Sequence, residues 1–113
     1  MEQLNRIELR GIIGRVDVLS YGDARVARLS VATTFFYQAK NGDPVIETTW
    51  HSVTAWEGKG IADLDSLEKG KAVHIIGRLR SQKYTNAQGE VVTIYEVVAK
   101  SLEVLDECMH FEQ

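Results

Sequence analysis

The most constraining feature of this chain is an alternation of apolar and polar residues that changes parity at a glycine. In the first strand candidate, residues 4–19, Ile7, Leu9 and Ile13 alternate with Arg6, Glu8 and Arg10. Successive side chains on a strand point to opposite faces, so this is the pattern of a half-buried strand. Beyond Gly14 the apolar positions become Val16 and Val18. A glycine at a parity switch predicts a bulge or a sharp bend. Long strands bent in this way help to close small barrels.

The rest of the chain repeats the strand signal. Ser20-Tyr21-Gly22-Asp23 reads as a tight turn. A second strand is predicted over residues 24–35, with Ala27, Leu29, Val31 and Thr33 on one face. Residues 37–44 form a polar loop that holds the hairpin signal Asn41-Gly42 and the one proline, Pro44. A third strand covers residues 45–56. Residues 61–67 have apolar side chains at helical spacing between Gly60 and Gly70, which predicts one short helix. A fourth strand covers residues 72–83, with Val73, Ile75 and Leu79 inward, and residues 84–90 form a second polar loop. The last strand runs from Val91 to Leu105 with a break near Ser101. Three strands, a short helix and two strands is the order of an all-β, five-stranded Greek-key barrel of the OB type. Such a fold does not by itself name a ligand.

Composition narrows the function classes. With 113 residues, the chain fits one domain, placed at residues 1–106 with a short tail at 107–113. The single Cys108 excludes a disulfide framework and a thiolate zinc site, and it is consistent with a reducing cytosol. No signal peptide and no apolar run of membrane-spanning length is evident, so a cytoplasmic protein is expected. His51 shares parity with Val53 and is expected in the core or an interface. His74 and His110 stand alone, so no metal and no cofactor is expected. No phosphate loop, nucleophile elbow or His-plus-carboxylate motif supports an enzyme.

The net charge of −3 counts against nucleic-acid binding, but its distribution does not. Acidic residues gather in residues 63–68 and 103–112, whereas Arg6, Arg10, Arg78, Arg80 and Lys83 lie on strands. The run Trp50-His51-Ser52-Val53-Thr54-Ala55-Trp56 places two indoles on one strand face with hydroxyls between them. Flat rings on a polar sheet face suit the stacking of unpaired bases. The same rings also fit a second buried face or a subunit interface. Tyr37 and Tyr84 lie at the bases of the two polar loops, where half-buried packing is the ordinary alternative.

Particular residues resemble the bacterial-type single-stranded DNA-binding protein family. They are residues 5–11 and 29–34, then Thr49-Trp50-His51-Ser52-Val53, residues 68–80, and Lys83-Tyr84-Thr85-Asn86 with Gly89. The resemblance spans roughly residues 5–105 in order. It implies that bases stack on Tyr37, Trp50, Trp56 and Tyr84. Phosphates are expected along Arg6, Arg10, Lys40, Lys69, Arg78, Arg80 and Lys83. It also implies a homotetramer assembled partly through first strands, and a role in DNA replication, recombination or repair, close to the nucleoid. Two alternatives remain at this point: an OB module for protein interaction in a replication-restart assembly, and an RNA-binding OB protein. Three features depart from the family pattern. Residues 14–18 lack the usual Asp-Pro, Phe35 and Phe36 add apolar surface, and residues 107–113 are a poor substitute for an acidic partner-recruiting tip.

Overall fold

The five strands predicted from alternation form a closed barrel in the order β1-β2-β3-β5-β4. In the computed structural model, which describes residues 1–105, these are β1 Ile7–Tyr21, β2 Ala24–Gln38, β3 Pro44–Trp56, β4 Ala72–Thr85 and β5 Val91–Leu105. All neighbouring pairs are antiparallel except β3 and β5, which run parallel through Val53 and Val97. The expected tail at 107–113 and Cys108 lie outside the described residues.

The parity switch at Gly14 is a β-bulge. Ile13 pairs with Val31 and Arg15 with Ser30, which leaves Gly14 as the extra residue on β1. The bulge turns Val16 back towards the core that Ile13 already fills, so one strand serves both sides of the barrel. The break foreseen near Ser101 is a second bulge. Ile76 pairs with Ser101 and Gly77 with Ala99, which leaves Lys100 unpaired. The strand bends there and continues.

The core is wholly aliphatic. Ile13, Val26, Ala27, Leu29, Val31, Val53, Ala55, Leu64, Leu67, Val73, Ile75, Val97 and Leu102 are all buried. Each buried aliphatic side chain contributes about 1.5–3 kcal/mol of transfer free energy, so this cluster dominates the stability of the barrel. Leu79 keeps the inward parity predicted for it but lies at the barrel end and is exposed. Asn5 caps that end: its side chain donates to the Leu79 carbonyl at 2.7 Å and accepts from the Leu79 amide at 2.9 Å. The segment before Ile7 is thus pinned by one side chain rather than by ladder bonds, and β1 starts three residues later than alternation alone predicts.

The expected short helix is a single 3₁₀ turn, Leu64–Ser66. Asp63 caps it by accepting from the Asp65 amide at 3.1 Å. Ile61 instead makes a parallel bridge to Leu102, and Ala62 donates its amide to the Leu102 carbonyl at 2.8 Å. The apolar spacing was real, since Leu64 and Leu67 plug the barrel. A segment bracketed by Gly60 and Gly70 is too short to repay helix nucleation.

Strands β2 and β3 outrun the barrel as one two-stranded arm, paired without interruption from Val26 and Trp56 to Gln38 and Pro44. Gly42, at φ 92°, closes its tip. Strands β4 and β5 form a second arm ending in Thr85 and Val91. Asn86 organises that turn, its side-chain oxygen accepting from the Gln88 and Glu90 amides at 3.0 and 2.9 Å.

Candidate nucleic-acid interface

The outer face of β2 and β3 is set by their register. Ala32 opposes Trp50, Ser30 opposes Ser52 and Arg28 opposes Thr54, while Trp56 at the end of the row stands opposite the buried Val26. Trp50 is 60% exposed and Trp56 47% exposed, so both indoles stand out from the sheet. Six residues of strand separate them by roughly 20 Å.

Each indole has a particular seat. Trp50 lies across the Gly14 bulge so closely that a β-carbon built on Gly14 would fall 2.2 Å from its Cζ3 atom. The missing side chain at position 14 is therefore the space the ring occupies. Trp56 leans on Tyr21, with ring centroids 6.0 Å apart and planes tilted by 46°. Such tilted pairs are a favourable aromatic geometry.

The two hydroxyls between the indoles differ. Ser52 is exposed. Thr54 is 9% exposed and donates to Glu96 Oε1 at 2.7 Å. Glu96 also accepts from Arg80 Nη2 at 2.5 Å, while Arg80 Nε is buried without a partner. Thr54, Glu96 and Arg80 line a groove of about 240 Å³ beside Trp56 and Tyr21. Arg80, predicted as a phosphate contact, thus lies beside Trp56 with its charge already matched by Glu96.

The other predicted cations vary. Arg6 lies 3.7 Å from Glu8 in an exposed pair of little energetic weight. Arg10, Lys40, Lys69, Arg78 and Lys83 make no ion pair among the described residues.

Tyr37 and Tyr84 are also exposed, one on each arm. Tyr84 opposes Val92 and shares a face with Arg80 and Gln82. Tyr37 opposes Val45 and so lies on the opposite face of its arm from Trp50. A strand that touches both must pass round the arm.

Three residues of this surface escaped the sequence reading. Arg28 lies on the outer face between the indoles and lines the grooves on either side of Thr54. It alternates with the core residues Ala27 and Leu29, and that signal could have found it. Tyr21 and Tyr95 are exposed beside Trp56 and Ser52. Tyr21 falls in the predicted turn at residues 20–23 and Tyr95 in the last predicted strand, so neither stands out by pattern.

His74, which looked isolated in sequence, is not. It bridges three strands, with Nε2 2.6 Å from Glu8 and Nδ1 3.2 Å from Glu103. Donation from the ring to the Glu8 carboxylate, then to that of Glu103, raises the His74 pKa above its usual value. The His74 bond in turn lowers that of Glu8. The two carboxylates meet opposite ring nitrogens, so a single metal ion cannot engage all three groups. His51, half-buried as parity predicted, sits 2.9 Å from the Thr33 hydroxyl.

A sequence model of the Single-strand binding protein family matches residues 4–105. The chain belongs to that family. It is 34% identical over 105 residues to a single-stranded DNA-binding protein of Neisseria meningitidis serogroup A, covering 90% of this chain and 60% of the relative. It is 29% identical over 104 residues to one from Xylella fastidiosa strain Temecula1, covering 90% and 63%. The chain thus spans about six-tenths of the length of these curated relatives. Among solved structures it resembles Plasmodium falciparum SSB in complex with ssDNA, with a TM-score of 0.82 and 28% identity, covering 94% of this chain and 98% of the other. A deletion mutant of the Thermus aquaticus single-stranded DNA-binding protein shares the fold, with a TM-score of 0.73 and 21% identity over 91% of this chain and 51% of that one. Family membership and an OB barrel agree with the order of strands read from the sequence.

Proposed function

We propose that the chain binds single-stranded DNA without strong sequence preference. One observation carries the reading. All eight aromatic side chains among the described residues are exposed, while the core is aliphatic throughout. Exposed rings on a soluble barrel need a purpose, and every base offers a ring face to stack on. The likeness to a P. falciparum SSB solved with ssDNA supports DNA as the ligand.

Bases stack on Tyr37, Trp50, Trp56 and Tyr84, each stack contributing about 1–3 kcal/mol. Phosphates pass Arg6, Arg10, Lys40, Lys69, Arg78 and Lys83, and Arg80 joins them when it releases Glu96. The activity is binding rather than catalysis, and it needs no cofactor. It protects unpaired strands during replication, recombination or repair, in the cytoplasm near the nucleoid. No helix among the described residues is long and apolar enough to cross a membrane. The protein assembles as a homotetramer in part through β1, whose residues before Ile12 pair with β4 but not with β2. An unpaired edge of this kind invites a second chain.

Titration of intrinsic tryptophan emission with poly-dT, poly-rU and duplex DNA tests the reading. Strong quenching by poly-dT and little by duplex is expected. Unchanged emission at saturating poly-dT overturns it. Tighter binding of poly-rU reassigns the ligand to RNA.

A further inference from the structure

Phe35 and Phe36 are exposed aromatics that the reading above does not use. They sit side by side on β2 but face opposite ways. The β2–β3 ladder has no bulge from Val26 and Trp56 to Gln38 and Pro44, so faces alternate residue by residue. Phe36 opposes Ile46 and shares its face with Thr34, Thr48, Ala32 and Trp50. Phe35 opposes Glu47 and shares its face with Tyr37 and Val45, its ring centroid 6.4 Å from that of Tyr37.

Charge separates the two faces. The Phe36 face carries no charged side chain from Trp50 to the arm tip, whereas Glu47 stands directly across from Phe35. A carboxylate there repels a passing phosphate.

We propose that Phe36 is a further base-stacking site: an unpaired nucleobase lies against its exposed ring, on the uncharged arm face that leads from Trp50. The proposal rests on the single-strand-binding reading above. Phe36 is 70% exposed, so its ring face is available without rearrangement. Its row lies four residues from that of Trp50 on the same face, roughly 13 Å along the strand. A chain leaving Trp50 reaches Phe36 without crossing an edge of the arm, while Tyr37 lies behind it. The hydroxyls of Thr34 and Thr48, 3.4 Å apart, occupy the row between.

A single indole at position 36 tests this directly. Phe36→Trp is introduced into a Trp50→Phe, Trp56→Phe background, and emission is followed as oligo-dT is added. Strong quenching is expected, and Phe35→Trp in the same background should respond far less. Phe36→Ala should weaken oligo-dT binding about 5- to 150-fold, the equivalent of one lost stack. Phe36→Leu should not restore it, and light scattering should show an unchanged mass. If oligo-dT quenches the wild-type protein but not the position-36 probe, the proposal fails and the parent reading stands. If neither is quenched, both fail. If Phe36→Leu restores affinity, or Phe36→Ala changes the mass and leaves affinity intact, the surface is an apolar protein contact and the proposal is overturned.

Discussion

Gly14→Ala is the sharpest test of how the barrel aims its indole. The added β-carbon would lie 2.2 Å from Trp50 Cζ3 and 2.6 Å from Cη2. Ordinary contact between such atoms begins near ~3.5 Å, so the ring must move by more than an ångström. The atoms that clash are the far end of an exposed side chain, so the ring can swing away at a cost of about 0.5–1.5 kcal/mol in off-rotamer strain. The backbone at Gly14 is not in the left-handed region, so alanine regains about 0.4–1 kcal/mol by restricting the unfolded chain. These terms nearly cancel. Thermal stability should therefore change by less than about 1 kcal/mol, read as a Tm shift of a few degrees. Binding of oligo-dT should fall by as much as one stack, up to about 150-fold. The decisive assay is a double-mutant cycle. In a Trp50→Ala background, Gly14→Ala should have no further effect on affinity, because the two residues act through one ring. Equal losses in both backgrounds would refute the argument that Gly14 acts by seating Trp50.

Further outcomes follow from the same geometry. Lys83→Gln should make the log-log salt slope for oligo-dT shallower by about 0.7, one phosphate's worth on a single strand. Arg80→Gln should move it less, because Glu96 already matches that charge at 2.5 Å, and a larger change for Arg80 would contradict the pairing. The His74 pKa is raised, so its share of stability is complete below the usual value of 6.5 and is lost as pH rises through the folded value. The Glu8 pKa is lowered from 4.5, so its share is present above that value and is lost as acid is added. The contribution of this bridge to melting temperature should thus be fully present between about pH 4.5 and 6.5, and His74→Gln should flatten the fall above that window; a variant with the wild-type profile would exclude this bridge as its cause. Light scattering at micromolar concentration should report a tetramer, and a monomer would contradict assembly through β1.

The parts of the fold that could be read in advance are those governed by the two-residue strand period. The bulge at Gly14 and the second near Ser101 both follow from a change of parity, which only one extra residue in a ladder can cause. The 3₁₀ turn was less legible, because residues spaced at three and four positions satisfy a helix and a plug equally well. What settled it was distant: the Leu102 backbone captures Ala62 and leaves too little chain to coil. The site shows the same division. Outward parity located Trp50 and Trp56, but parity does not say which outward hydroxyl a neighbour covers. Thr54 is buried because Glu96 arrives from β5, about 40 residues away in sequence. The partners of Arg80 and His74 are distant for the same reason, and no local pattern encodes them.

The separation of residue types explains why such a surface can exist on so small a barrel. Packing the core with branched aliphatic side chains fills a narrow interior at high density without rings. Every aromatic among the described residues is then left for the outside. That arrangement is costly in water, since exposed rings give up burial that a core would have used. The cost is contained by geometry. Trp50 rests against the Gly14 bulge and Trp56 against Tyr21, so each ring has one neighbour and stays largely exposed. A ring seated this way has fewer orientations open to it before any ligand arrives, and stacking then has less entropy to offset. The bulge that closes the barrel is therefore also the seat that orients the indole. If bases stack on Trp50 as proposed, closure and binding share the same missing β-carbon, and a change at Gly14 is expected to reach function while leaving the fold almost untouched.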